Sequence, residues 1–216
     1  GAPLSSHCDH EIDILAGKER SVAATKTFVN SALAGLAILA HWTGSAALAD
    51  ALRALPAQLE KAVDCDWTPL AAALQNSQSL YILGRGPGMA IAQEAALKFK
   101  ETSGVHAEAY SAAEVMHGPM ALVKPGFPVL ALVVRDKSEP SMLAAIESLA
   151  ARGATVFATS DKAGGKAALP IAATGNALTD PLALIASFYG FVESFSRARG
   201  LDPDQPPHLR KVTETV

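Results

Sequence analysis

The run Phe127-Pro-Val-Leu-Ala-Leu-Val-Val134 has no polar side chain, and it constrains the fold more than any other feature of the chain. Eight such residues have no face to offer to water. As a strand they must be covered on both sides, which is the environment of a parallel sheet with helices above and below it. Neighbouring segments fit the same plan. Ser79-Leu-Tyr-Ile-Leu83 is a short apolar strand that stops at Gly84-Arg-Gly-Pro-Gly88, and helical spacing follows over 89–103. A helix is expected over 141–152, closed by Gly153, then a strand over 154–159 and a weaker one over 168–173. A long apolar helix over 182–199 ends at Gly200. Strands alternating with helices predict an α/β fold, a doubly wound, flavodoxin-like parallel sheet flanked by helices.

The beginning of the chain fits less easily. Glu11-Ile-Asp-Ile-Leu15 alternates acidic and apolar residues, which is a strand signature. No partner strand precedes it within ten residues, and a strand cannot stand alone. Either it joins the later sheet, or its partner lies upstream of this chain, the reading favoured here. Ser21-Val-Ala-Ala-Thr-Lys-Thr-Phe-Val29 leads into an alanine-rich helix that extends to about Trp42. A second helix covers 46–64 with a break expected at Pro56, and a short one covers 69–75. At the other end, Asp202-Pro-Asp-Gln-Pro-Pro207 is a proline-rich turn before a polar tail, 208–216.

Composition removes several function classes. Half of the 216 residues are hydrophobic and 18% are charged, which is incompatible with a disordered chain. A formal charge of −3 lacks the basic excess of a general nucleic-acid binder. Cys8 and Cys65 make neither a disulfide framework nor a metal pair, so a cytoplasmic location is the default. The longest apolar stretch, 31–42, falls short of the roughly 20 residues that span a bilayer, and no signal peptide is visible.

Several residues could carry chemistry. The Gly84–Gly88 loop lacks the sixth-position glycine of the dinucleotide fingerprint and the Gly-Lys-Ser/Thr of a phosphate loop. It can still be an anion site at a helix start, or simply a tight turn with close helix–sheet packing. Lys98 and Glu101 lie three apart on one helix face, as a surface ion pair or as a base beside a cation. His117 precedes Gly-Pro on an expected loop, where a histidine can shuttle protons. His106 and Glu108 read equally well as a buried hydrogen-bonded pair. The histidine spacing fits no metal motif. Lys211 is either a solvated tail charge or a lysine brought into a cleft to meet a carbonyl.

Taken in order, Ser21-Val-Ala-Ala-Thr-Lys-Thr-Phe28, Leu83-Gly-Arg-Gly86, Glu94-Ala-Ala-Leu-Lys-Phe-Lys-Glu101, His106-Ala-Glu-Ala-Tyr110, His117-Gly-Pro119, Asp204-Gln-Pro206 and Leu209-Arg-Lys-Val-Thr213 resemble the sugar isomerase (SIS) family. The resemblance is to the isomerase half of glucosamine-6-phosphate synthase and to SIS-type glucosamine-6-phosphate deaminases. It implies tandem SIS domains. Residues 1–60 would be the C-terminal remnant of a first domain plus linking helices, and 61–216 a second domain with its tail. The Ser-Gln-Ser-Gly phosphate loops of the first domain have no match in this chain.

The resemblance also implies roles. Glu101 matches the base that moves a proton between C1 and C2, and Lys98 the lysine assisting it. His117 matches the ring-opening histidine, which reaches in from a neighbouring subunit and so implies a homodimer. Lys211 matches the tail lysine that engages the open-chain carbonyl. Val22, Ala24 and Arg210 fall at substrate-contact positions, with Ala24 in place of a serine and Arg210 in place of a small residue. The chemistry needs no metal and no cofactor. The expected activity is conversion of glucosamine-6-phosphate to fructose-6-phosphate and ammonia. The alternatives are a sugar-phosphate sensor without catalysis and a fructosamine-phosphate deglycase. The synthase reaction itself would require a glutaminase domain.

Overall fold

A computed structural model describes residues 3–163 and 167–211. The last part of the expected tail, 212–216, lies outside the described residues. Five strands form one parallel sheet: β1 (Ser79–Gly84), β2 (His106–Ser111), β3 (Pro128–Ala131), β4 (Thr155–Ala158) and β5 (Ala167–Ala168). Their order is β2-β1-β3-β4-β5, the flavodoxin-like winding. The helices are α1 (Lys26–Thr43), α2 (Ala46–Val63), α3 (Thr68–Leu74), α4 (Pro87–Ser103), α5 (Glu139–Ala151) and α6 (Asp180–Ala198).

The sheet divides the core as the apolar run requires. Leu130, Leu132 and Val134 join Ile82, Phe99 and Phe188 on one side, while Val129, Ala131 and Val133 join Leu83, Ile146 and Leu149 on the other. The run is regular strand only over its first half, but all of Val129–Val134 is buried. Helix α4 packs against β1, β2 and α6 at once. At its heart Phe99 meets Phe188, Phe191 and Phe195 at ring distances of 5.3, 6.0 and 6.1 Å. This double covering sets up the site, because it leaves α4 with little free surface.

Three local expectations are overturned. Residues 11–15 are not a strand. The Asp13 carboxylate accepts the Leu15 N–H at 2.9 Å and Leu15 takes φ +50°, so a side-chain-closed turn replaces the extended backbone. Helix α2 runs unbroken through Pro56. Proline there removes one hydrogen bond, at a cost of about 3 kcal/mol, but Leu48, Leu55 and Ala62 anchor the helix on both sides of it. Ser187 Oγ also donates to the Ala62 carbonyl at 2.7 Å. Finally, β2 occupies residues for which no strand is expected, and the alternative of a buried His106–Glu108 pair does not form. His106 is exposed, with Nδ1 3.3 Å from Ser79 Oγ, and Glu108 accepts the Tyr110 hydroxyl at 2.8 Å.

The glycine loop after β1 is explained by packing. A Cβ on Gly84 would come 2.5 Å from the Gly88 carbonyl oxygen, and one on Gly88 would come 3.1 Å from that of Leu132. Across from the start of α4 stands a carboxylate, Asp136 Oδ2, 3.2 Å from where a Gly86 Cβ would be. Negative charge at that place disfavours an anion.

Candidate functional site

The cavity that gathers the chemistry lies between α4, α6 and the segment before α1. It measures about 670 Å³, and its walls include Glu19, Ser21, Lys98, Thr102, Tyr189 and Asp204. None of the β1–α4 loop residues lines it.

On the α4 wall, Lys98 is 4% exposed and Glu94 7%. They are buried because α6 closes over this face. The Lys98 Nζ donates to Glu101 Oε2 at 2.6 Å and lies 3.3 Å from Glu94 Oε1. The pairing expected between Lys98 and Glu101 therefore exists, but around a buried lysine shared with Glu94 rather than as a surface ion pair. From α6, the Tyr189 hydroxyl donates to Glu94 Oε1 at 2.8 Å. Burial, followed by the charge and hydrogen bond of Glu94, pushes the Tyr189 phenol far above its ordinary range, with Glu19 and Glu101 adding to the effect. Glu101 keeps some solvent access and is joined to the cavity wall through Lys98.

The opposite wall is the segment before α1. Thr25, at the N-cap, offers no side-chain cap of its own. Instead, Glu19 Oε2 accepts Thr27 N–H at 2.9 Å, Thr25 N–H at 3.1 Å and the Thr27 hydroxyl at 3.1 Å. Burial works to raise the Glu19 pKa, but these donors and the Lys211 charge together hold it below the usual carboxylate value. The closed turn is tied to the tail in two places. Val22 N–H donates to the Asp204 carbonyl at 3.1 Å, and Lys211 Nζ donates to the Ser21 carbonyl at 2.5 Å.

Of the residues singled out in the sequence, Lys98 and Glu101 meet on α4, and Lys211 docks on the turn that carries Val22 and Ala24. Ala24 is half-buried and Arg210 exposed. His117 is exposed between two short 3-10 turns after β2 and does not line the cavity. Three further residues complete the site: Glu19, Glu94 and Tyr189. The spacing Glu94, Lys98, Glu101 marks one helix face and was a usable signal. Glu19 and Tyr189 become neighbours of the site only through tertiary folding. Among the described residues, no three His, Cys, Asp or Glu side chains gather as a metal-binding group, and no helix is long and apolar enough to cross a membrane.

The sequence profile of the SIS domain matches residues 73–196, from α3 to the end of α6. The chain belongs to the SIS domain family. Over its whole length this SIS chain is 39% identical to a glutamine–fructose-6-phosphate aminotransferase (isomerizing) of Aeropyrum pernix, covering 38% of that protein. It superimposes with a TM-score of 0.90 on a crystal structure described as a candidate phosphosugar isomerase from Silicibacter pomeroyi, at 50% identity over 94% of this chain and 62% of that one. A glucosamine-6-phosphate deaminase from Thermotoga maritima shares the fold, with a TM-score of 0.72 at 23% identity over 97% of this chain and 62% of that one. The SIS chain thus spans less than two thirds of each of these relatives.

Proposed function

We propose that this chain supplies the greater part of a phosphosugar isomerase that converts glucosamine-6-phosphate and water to fructose-6-phosphate and ammonia. The observation that carries the reading is Lys98, buried between two carboxylates on one wall of a cavity whose other wall receives Lys211. Moving a proton between adjacent carbons needs a base and a cation for the oxygen that gains charge. Lys98 and Glu101 are such a pair, 2.6 Å apart.

In this reading His117, from a second copy of the chain in a homodimer, opens the sugar ring. Lys211 engages the C1 carbonyl, with Val22, Ala24 and Arg210 around it. Glu101 takes the C2 proton and returns it to C1, while Lys98 offsets the charge on the C1 oxygen. The imine left at C2 adds water and releases ammonia. The amino-group chemistry of the Aeropyrum pernix relative and the isomerase description of the Silicibacter pomeroyi structure support this choice.

The same proposal assigns residues 1–60 to the end of a preceding SIS domain and 61–216 to a second one. Helix α1 supports it: its middle, Ala32–Ala40, has no polar side chain, yet only Val29 and Ala40 of the helix are buried. Ile38 and Trp42, with Ile12 beside them, form an open apolar groove.

The test is ammonia release from glucosamine-6-phosphate, measured with the longest product of the gene beside the 216-residue chain. Glu101→Gln should lower turnover by about 10²–10⁴-fold, the usual worth of a positioned base, and leave fructose-6-phosphate binding intact. A variant that turns over like the parent removes Glu101 from the mechanism. Binding without turnover in the parent itself would favour a sensor.

A further inference from the structure

We infer that Glu19 is a positioning residue for Lys211, acting through the turn at 20–25. One oxygen of Glu19 gathers three donors, two backbone N–H groups and the Thr27 hydroxyl. It thereby caps α1 from outside and closes the turn. Ser21, inside that turn, presents its carbonyl to Lys211 Nζ at 2.5 Å, and its own hydroxyl is taken up by the Ala23 carbonyl at 2.8 Å. The direction of the Ser21 carbonyl therefore depends on a turn that Glu19 holds shut.

Two features make this more than a helix cap. Glu19 lines the cavity together with Lys98 and Tyr189, so its charge faces the site as well as the helix. Lys211 is exposed, as are His208, Leu209 and Arg210 before it. Its described contact is the Ser21 carbonyl, and the nearby tail is held by the Val22–Asp204 backbone bond. A flexible lysine stem loses considerable rotamer freedom when fixed. A carbonyl acceptor with a carboxylate behind it is a physical means of holding the ammonium at one place. A neutral acceptor at position 19 would retain some capping and lose the charge.

The role of Lys211 rests on the proposed isomerase reading, but the positioning of Lys211 by Glu19 does not, and the experiment separates them. The full protein is treated with limiting N-hydroxysuccinimide acetate, and acetylation of Lys211 is followed by peptide mass spectrometry against exposed Lys124 as internal reference. Glu19→Gln should raise labelling of Lys211 several-fold relative to Lys124. Thr27→Val, which removes one hydrogen bond and keeps the charge, should stay close to the parent. Equal labelling of Lys211 in the parent and Glu19→Gln, or a rise in Thr27→Val without one in Glu19→Gln, overturns the inference. In the same preparations, Glu19→Gln should lower kcat more than it raises KM. A labelling change in a protein that never turns over glucosamine-6-phosphate would leave Glu19 its role and remove the isomerase reading.

Discussion

Replacing Lys98 by methionine tests whether the α4 triad is as buried as its geometry says. The molecule contains its own control, since Arg53 and Asp50 form another helical i,i+3 ion pair, on α2, with side chains 72% and 69% exposed. Exposed pairs of this kind contribute about 0.2–1 kcal/mol. Lys98 and Glu94 are almost completely enclosed, so methionine would fill the space but strand the Glu94 carboxylate without its cation. Removing one partner of a buried pair costs about 3–5 kcal/mol. Because Glu101 is 22% exposed and can turn to water, the lower end, about 3 kcal/mol, is the expected loss. Urea unfolding read by tryptophan fluorescence measures it directly. Trp67 is buried and will report the transition, whereas Trp42 is exposed and contributes background. The double variant Lys98→Met with Glu94→Gln removes the stranded charge and should recover part of the loss. If Lys98→Met costs no more than Asp50→Asn, burial is not what distinguishes the two pairs and the reasoning fails.

Other parts of the structure give equally definite expectations. All three tyrosines are pushed upward: Tyr81 by burial and then the Glu108 charge, Tyr110 to about 12 by its hydrogen bond to Glu108 and then by burial, and Tyr189 by burial and then Glu94. Absorbance of the phenolate at 295 nm should therefore be nearly absent from the folded chain at a pH just above 10 and appear on unfolding. The sign follows from proton linkage: the folded state holds protons the unfolded state has released, so stability falls as pH rises from about 10 through the folded values. An ordinary titration near pH 10 in the folded protein would refute this. Two glycines should respond in opposite directions to alanine. Gly84→Ala drives a methyl into the Gly88 carbonyl and should lose about 1–3 kcal/mol, whereas Gly35→Ala, in open space within α1, should gain up to about 1 kcal/mol. Denaturant midpoints of the two variants decide it.

How much of this was legible in the sequence depended on how local the cause was. The apolar run at 127–134 forced a covered strand, and that requirement carried the α/β class. Strand β2 was equally local, since His106, Glu108 and Tyr110 alternate with Ala107 and Ala109. Their period of two is a strand signal, and the small alanines between them make it faint. The alternation at 11–15 misled for the reverse reason. An aspartate inside a strand pattern offers its own side chain to the backbone, and Asp13 does so. Pro56 misled because its cost is local while the compensation comes from α6, far along the chain.

The site divides along the same line. Lys98 and Glu101 are neighbours by helical spacing, so their pairing could be read; their burial could not, because it depends on α6 folding back over α4. Glu19 and Lys211 are 190-odd positions apart in sequence yet meet at one turn, where Ser21 receives the lysine. That turn does two jobs that pull on each other. As a helix start it calls for an acidic acceptor, which Glu19 supplies against the α1 dipole. As a cavity wall it then presents that acid to the space that Lys98 and Tyr189 also line. Glu19, Glu193 and Asp204 line the cavity together with Lys18, Arg20, Lys26 and Lys98, and Lys211 reaches the Ser21 carbonyl on the same wall as Glu19. A neutral side chain at position 19 would remove negative charge from the wall that receives Lys211, and this is why the charge at position 19 and the position of Lys211 should prove inseparable.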